Sequence, residues 1–188
     1  YKNMIEAKSS ANYIYENTKV KLSQEDYPQN KFGKQLKSTA QFINSGLDTK
    51  VFYNALDGFD THANQQNTQK RLLSIYAEAL FTFVKDLKRN GTFEDTLILT
   101  FSEFGRRVKQ NAANGTDHGS ANNVFVVGKN LKTAGVYNQL SSLSDLDDNG
   151  DLKFTVDFRQ VYATILENWL GASIEGIISV PQRKLKFI

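Results

Sequence analysis

Apolar residues recur along much of this chain at spacings of three and four, the period of one face of a helix. Phe32, Leu36, Ala40 and Ile43 do so over residues 31–45, and Asn44-Ser45-Gly46 closes that run with a glycine suited to a helix C-terminus. The strongest pattern covers residues 65–89, where Leu72, Tyr76, Leu80, Phe83 and Leu87 line one face with Leu73 and Val84 beside them. Asn90-Gly91 stops it. Residues 2–17 read as a helix through Ile5, Ala11, Tyr13 and Ile14, and residues 157–170 as another, capped by Asp157 and ended by Gly171. In this last helix Val161, Ile165, Leu166 and Trp169 face a core. The polar stretch Ser23 to Asn30, punctuated by Pro28, separates the first two helices.

Short runs rich in β-formers fall between the helices. Residues 50–56 (KVFYNAL) and 96–101 (TLILTF) read as strands, the second apolar enough to be buried on both faces. Strand, long helix and strand make a βαβ unit, whose crossover is parallel and right-handed in nearly all known cases. Further strands are predicted at 123–127 and 152–156, with short edge pieces at 135–137 and 184–188. The expected fold class is therefore α/β, a mostly parallel sheet flanked by helices, and 188 residues suit a single domain over the whole length, 1–188. Residues 102–121 show no periodicity, and an unstructured loop of that length inside a domain is usually functional.

Composition narrows the function classes. Hydrophobic residues make up 40% of the chain, enough for a core, and no apolar run is long enough for a membrane-spanning helix. The formal net charge is +3, and all of it arises in the first fifty residues, where eight lysines stand against five acidic residues. That excess reads as a solvated face. Nucleic-acid binding calls for a denser basic stripe interleaved with aromatics. No glycine-rich dinucleotide fingerprint or P-loop follows either strand. There is no cysteine, which removes disulfides, thiolate metal sites and cysteine nucleophiles together. The chain does not open on Met, which suggests a piece of a longer protein.

The chain's two histidines both sit beside aspartates, in Asp60-Thr61-His62 and in Asp117-His118-Gly119. Imidazole and carboxylate are the natural ligands for zinc and similar divalent ions where thiolates are absent. Asp60 and His62 follow the first strand of the βαβ unit, and Glu103 follows the second. In an open α/β sheet that edge is where ligands bind, and Asp117 and His118 lie in the same long loop as Glu103. Five candidate metal ligands thus converge: Asp60, His62, Glu103, Asp117 and His118. Glu103 reads alternatively as the partner of Arg106 or Arg107 in a loop ion pair. Arg106 is the candidate for holding an anionic group, because guanidinium matches phosphate or sulfate oxygens in a fork. Asp145 to Asp151 mimics the start of a calcium loop, but its twelfth position is Val156, so a tight turn is the better reading. Asn90-Gly91-Thr92 and Asn114-Gly115-Thr116 fit a glycosylation pattern and are equally ordinary glycine turns.

The motifs Gly58-Phe59-Asp60-Thr61-His62, Ser102-Glu103-Phe104-Gly105-Arg106 and Gly115-Thr116-Asp117-His118-Gly119 resemble, in this order, those of the bacterial family known as domain of unknown function 1501. The resemblance extends over roughly residues 27–171, through Tyr27-Pro28 to Leu36 upstream and Asp157 to Tyr162 downstream. That family looks like a branch of the alkaline phosphatase and sulfatase superfamily, exported to the bacterial periplasm or beyond. The resemblance implies an alkaline phosphatase-like sheet and one or two divalent ions, commonly zinc. It also implies an activated hydroxyl nucleophile and an anionic ester as substrate. Carried over, Asp60 and His62 resemble ligands of one ion and Asp117-His118 a later ligand element, while Glu103 stands where many superfamily members carry Asp-His. The superfamily's nucleophile comes from an N-terminal half with no counterpart here, so the chain reads as the C-terminal part of a longer protein. Two functions are expected from this. One is a metal-dependent hydrolase of phosphate or sulfate esters in the bacterial cell envelope, and the other is a non-catalytic domain of the same fold that binds a ligand or partner.

Overall fold

The computed structural model describes residues 2–17, 21–179 and 184–188. The chain divides into two compact units, Tyr1–Asp60 with Asn67–Asp95, and Thr61–Gln66 with Thr96–Ile188.

The first unit is helical. Of the four α-helices among the described residues, three lie wholly or mainly here: α1 (Lys2–Asn17), α2 (Lys31–Asn44) and α3 (Gln65–Asn90), followed by a single 3-10 turn at Phe93–Asp95. All three run where the apolar period predicts them. Asn30 caps α2, its side chain accepting from Gly33 N–H at 2.8 Å. Gly33 is required, because a Cβ there would overlap the Pro28 carbonyl that turns the chain into the helix. Gly46 and Gly91, just past α2 and α3, hold φ of +75° and +74°, as C-terminal glycines do. Phe32, Leu36 and Ala40 of α2 are buried, as are Leu72, Ala79, Phe83 and Leu87 of α3. By contrast, α1 leaves its described side chains exposed except Ile14, which is half-buried.

Among these apolar residues sits Asp86, fully buried on α3. A buried carboxylate is costly unless its oxygens are hydrogen-bonded, and Asp86 accepts from Tyr27 Oη at 3.0 Å, from Asn90 Nδ2 at 2.9 Å and from Asn44 Nδ2 at 3.4 Å. One side chain thereby ties Tyr27 to the ends of both α2 and α3. Beside it, Glu25 takes Lys85 at 2.6 Å and Arg89 at 3.2 Å. The Lys85 ammonium, followed by Arg89, holds the Glu25 carboxyl below its usual range against the opposing effect of burial.

The second unit holds the strands, and here the α/β expectation is overturned. The described residues contain two antiparallel pairs and no parallel sheet. β1 (Ile98–Thr100) pairs with β4 (Phe125–Val127) in the register Ile98↔Val127, Leu99↔Val126 and Thr100↔Phe125. β2 (Gly105–Arg106) pairs with β3 (His118–Gly119). Residues 50–56 form no strand, so there is no βαβ crossover and no alkaline phosphatase-like sheet. The reason lies in burial. A parallel strand is covered on both faces, whereas Val51 and Tyr53 are 67% and 78% exposed, and Phe101 and Phe125 are exposed at the ends of β1 and β4. β1 is half-buried throughout rather than covered on both faces. The predicted strand at 152–156 shrinks to one bridge, Leu146↔Leu152, and 135–137 and 184–188 carry no strand.

That bridge closes the acidic turn. Asp147 accepts from the backbone N–H groups of Asn149 and Asp151 at 2.9 and 2.8 Å, and Gly150 has φ +79°. The turn satisfies its own backbone donors through Asp147, as a tight polar turn does. α4 (Phe158–Asn168) starts on a capping box in which Asp157 and Gln160 exchange side-chain and backbone bonds. It buries Val161, Ala163 and Thr164, and the Thr164 hydroxyl accepts from Leu185 N–H at 3.0 Å.

Two outcomes follow for the first unit. Leu87 is wholly buried, so Leu87→Ala lowers stability by about 2–5 kcal/mol, read as a lower urea midpoint. Burial, and then the neighbouring Asp86 charge, push the Tyr27 phenol well above its ordinary value. The unfolded phenol ionises near pH 10 while the folded one keeps its proton, so its contribution is complete below about pH 10 and is lost as pH rises toward the folded value. Tyr27→Phe therefore flattens the alkaline fall in unfolding free energy, measured by urea titration from about pH 8 to about pH 11.

Candidate metal centre

β2 and β3 are two residues each, and their register places Gly105 opposite Gly119 and Arg106 opposite His118. Side chains alternate between the faces of a strand. One face of this small ladder is glycine because nothing else fits: a Cβ on Gly105 would overlap the Ala121 carbonyl, and one on Gly119 would lie 2.8 Å from Arg106 carbonyl carbon. The bulky residues therefore gather on the other face. Phe104 stacks on His118 with ring centres 4.1 Å apart and planes 8° from parallel, and the Arg106 guanidinium sits 5.1 Å from the Phe104 ring centre.

The loop joining these strands folds back on residues 61–65. Asn111 organises it. Its side-chain oxygen accepts from Ala113 N–H and Gly115 N–H, both at 3.0 Å. Its amide donates to the His62 carbonyl at 3.0 Å and to Asp117 Oδ1 at 3.3 Å. Asn64 N–H and Gln65 N–H then donate to the carbonyls of Ala113 and Asn114 at 2.9 and 3.0 Å. Asn64 and Asn114 both adopt left-handed backbone conformations, with φ of 45° and 58°, which asparagine tolerates better than most residues. Gly115 lies so close to the His62 peptide that a Cβ would overlap its carbonyl. Arg106 adds two ties, donating to the Thr116 carbonyl at 2.6 Å and to Thr61 Oγ1 at 3.5 Å.

These contacts bring the two imidazoles together. The rings of His62 and His118 lie 4.9 Å apart between centres, tilted by 38°. Asp60, two residues before His62 on the same stretch of chain, completes a group whose ligand atoms all lie within 4.8 Å of one another, and all three side chains are exposed. The donor chemistry fits zinc. Bonds of about 2.0–2.1 Å at a tetrahedral ion put neighbouring ligand atoms about 3.3 Å apart, so exposed side chains need to close in by at most about 1.5 Å.

The other candidates take different places. Asp117 Oδ1 stands 3.3 Å from His62 Nδ1, outside the group of three. The hydrogen bond from Asn111, followed by that from His62, holds the Asp117 carboxyl below its usual range. It is ionised at neutral pH and able to orient the imidazole. Glu103 is exposed between β1 and β2 and is not part of the group. Arg106 is half-buried and engaged with Thr116, Thr61 and Phe104. Arg107 pairs with Asp151 at 3.3 Å rather than with Glu103.

The family model described as "Protein of unknown function (DUF1501)" matches residues 15–176, most of the chain. The chain belongs to the DUF1501 family. A search of the curated proteins and a search of the solved structures found no match. All the residues of the centre lie inside the DUF1501 match. In this DUF1501 chain, among the described residues, no helix is long and apolar enough to cross a membrane.

Sequence reasoning passed over Asn111, and it read Phe104 and Gly115 only as letters of motifs. A signal for Asn111 existed: an asparagine three residues before Asn114-Gly115, in a segment without period, is a turn former whose side chain mimics backbone. Replacing it removes four hydrogen bonds around the His62 carbonyl. Asn111→Ala should therefore speed amide exchange at Ala113 and Gly115 by about tenfold or more, while amides in the middle of α3 keep their rates. Hydrogen exchange read by NMR measures both.

Proposed function

We propose that Asp60, His62 and His118 hold one divalent ion, zinc, and that the site serves hydrolysis of a phosphate or sulfate ester in a protein exported to the bacterial envelope. The observation that carries this is the convergence of the chain's only two histidines with an aspartate in one exposed group. Two imidazoles and one carboxylate leave a coordination position open, the pattern of catalytic rather than structural zinc. An ion bound there supplies Lewis acidity toward an ester oxygen.

The chain's own groups prepare the site. With Asp117 on Nδ1, His62 presents Nε2 to the ion. Arg106 contributes a positive charge fixed at Thr61, between Asp60 and His62 in the chain, which favours an anionic substrate. Asp117 and Glu103 lie outside the group, so the proposal is for one ion. Kinship with the alkaline phosphatase and sulfatase superfamily belongs to the same proposal. It rests on the three motifs around Asp60, Glu103 and Asp117, and concerns the chemistry of the site rather than the sheet.

A second reading, a metal-binding domain without catalysis, is favoured by the engagement of Arg106. Its guanidinium already donates to the Thr116 carbonyl and to Thr61, which leaves it less able to clamp an ester. Elemental analysis, zinc-dependent melting and hydrolysis of aryl phosphate and aryl sulfate together separate the readings. The wild-type chain should carry about one zinc, and saturation at a hundred times Kd should add about 2.7 kcal/mol of stability. His62→Ala and His118→Ala should abolish that gain. Zinc binding with neither ester hydrolysed leaves the binding domain, and a melt indifferent to zinc in all three proteins sinks both readings.

A further inference from the structure

We propose that Phe104 is a positioning residue of this centre, fixing the plane of the His118 imidazole so that its ring meets the ion at one angle. The inference rests on the one-ion reading above. The χ2 torsion of a histidine is broad, so the plane of its ring is set by what packs against it. His118 is exposed and opens β3. Phe104 packs face to face against that ring. Its ring lies 8° from parallel with the imidazole at 4.1 Å, the closest aromatic stack in the described chain.

The platform is itself held. The Arg106 guanidinium packs 5.1 Å from the Phe104 ring centre and is pinned by the Thr116 carbonyl and the Thr61 hydroxyl. The glycines of the ladder force this arrangement, because Gly105 and Gly119 occupy the face that admits no side chain. Phe104, Arg106 and His118 are left to share the other. The two imidazoles are thus oriented by different means: Asp117 aims His62 through a hydrogen bond, and Phe104 aims His118 through ring stacking. Partners of metal ligands that set ring orientation typically change metal affinity 10- to 100-fold when removed.

The test uses the full chain loaded with zinc or cobalt(II). Phe104→Leu should weaken zinc binding at least about tenfold in competition with a chromogenic chelator, and should move the ligand-field bands of the cobalt form. Phe104→Tyr keeps a ring of the same plane and should restore affinity to within about twofold. In the zinc-loaded wild type, the ring protons of His118 should resonate upfield of a zinc-bound model imidazole, because they lie over the Phe104 face. That measurement needs no variant, so it decides the matter even if Phe104→Leu fails to fold. A folded Phe104→Leu protein with unchanged zinc affinity and a lower melting point would show a merely structural residue and overturn the proposal. So would a folded Phe104→Tyr protein that loses affinity, or a His118 ring without the upfield shift. A wild-type chain that takes up no ion fails the one-ion reading instead, a result distinct from all of these.

Discussion

The centre depends on how closely the Gly115 peptide approaches the peptide of His62. Two stretches more than fifty residues apart in the chain meet there without room for a single methyl group. Asn111 fills the space around that approach with hydrogen bonds in four directions. Long loops pay an entropic penalty to bring distant groups together, and this contact offsets it locally, with side-chain amide groups standing in for a sheet ladder. The placement of His62, Asp117 and His118 follows from it.

Helices were legible in the sequence, and so were the strands at 96–101 and 123–127, but the parallel sheet was not there, for one physical reason. A helix satisfies its own backbone, so the apolar period of residues 65–89 and the caps at Asn30 and Asp157 suffice to specify it. A strand needs a partner at the right register. KVFYNAL has the composition of a strand, yet Val51 and Tyr53 face solvent. TLILTF keeps three strand residues and pairs antiparallel with β4. The burial that would have made these runs a parallel sheet is absent, and composition alone does not reveal it.

The candidate site was legible in its candidate ligands and less so in the residues around them. Asp60, His62 and His118 stood out because their residue types have few other uses side by side, and they do converge. The reasoning that joined them through neighbouring strand tips did not survive, since the link is a hydrogen-bonded loop. Asp117 carried the right chemistry for a ligand, but pairs with Nδ1 of His62. Phe104 and Asn111 did not stand out beside them, because an aromatic and an amide announce packing and turns in almost any context.

The two units differ in what keeps them ordered. The first has a fully buried carboxylate surrounded by donors and a row of buried apolar side chains. The paired imidazoles of the second are exposed to water and rest on β2 and β3, each a dipeptide, and on a few amide contacts. Elements with so little buried area open at a lower free energy than a helix core. Warming should therefore scatter the histidine pair while α3 still gives its full circular dichroism, so that the molecule goes blind at its centre before it melts.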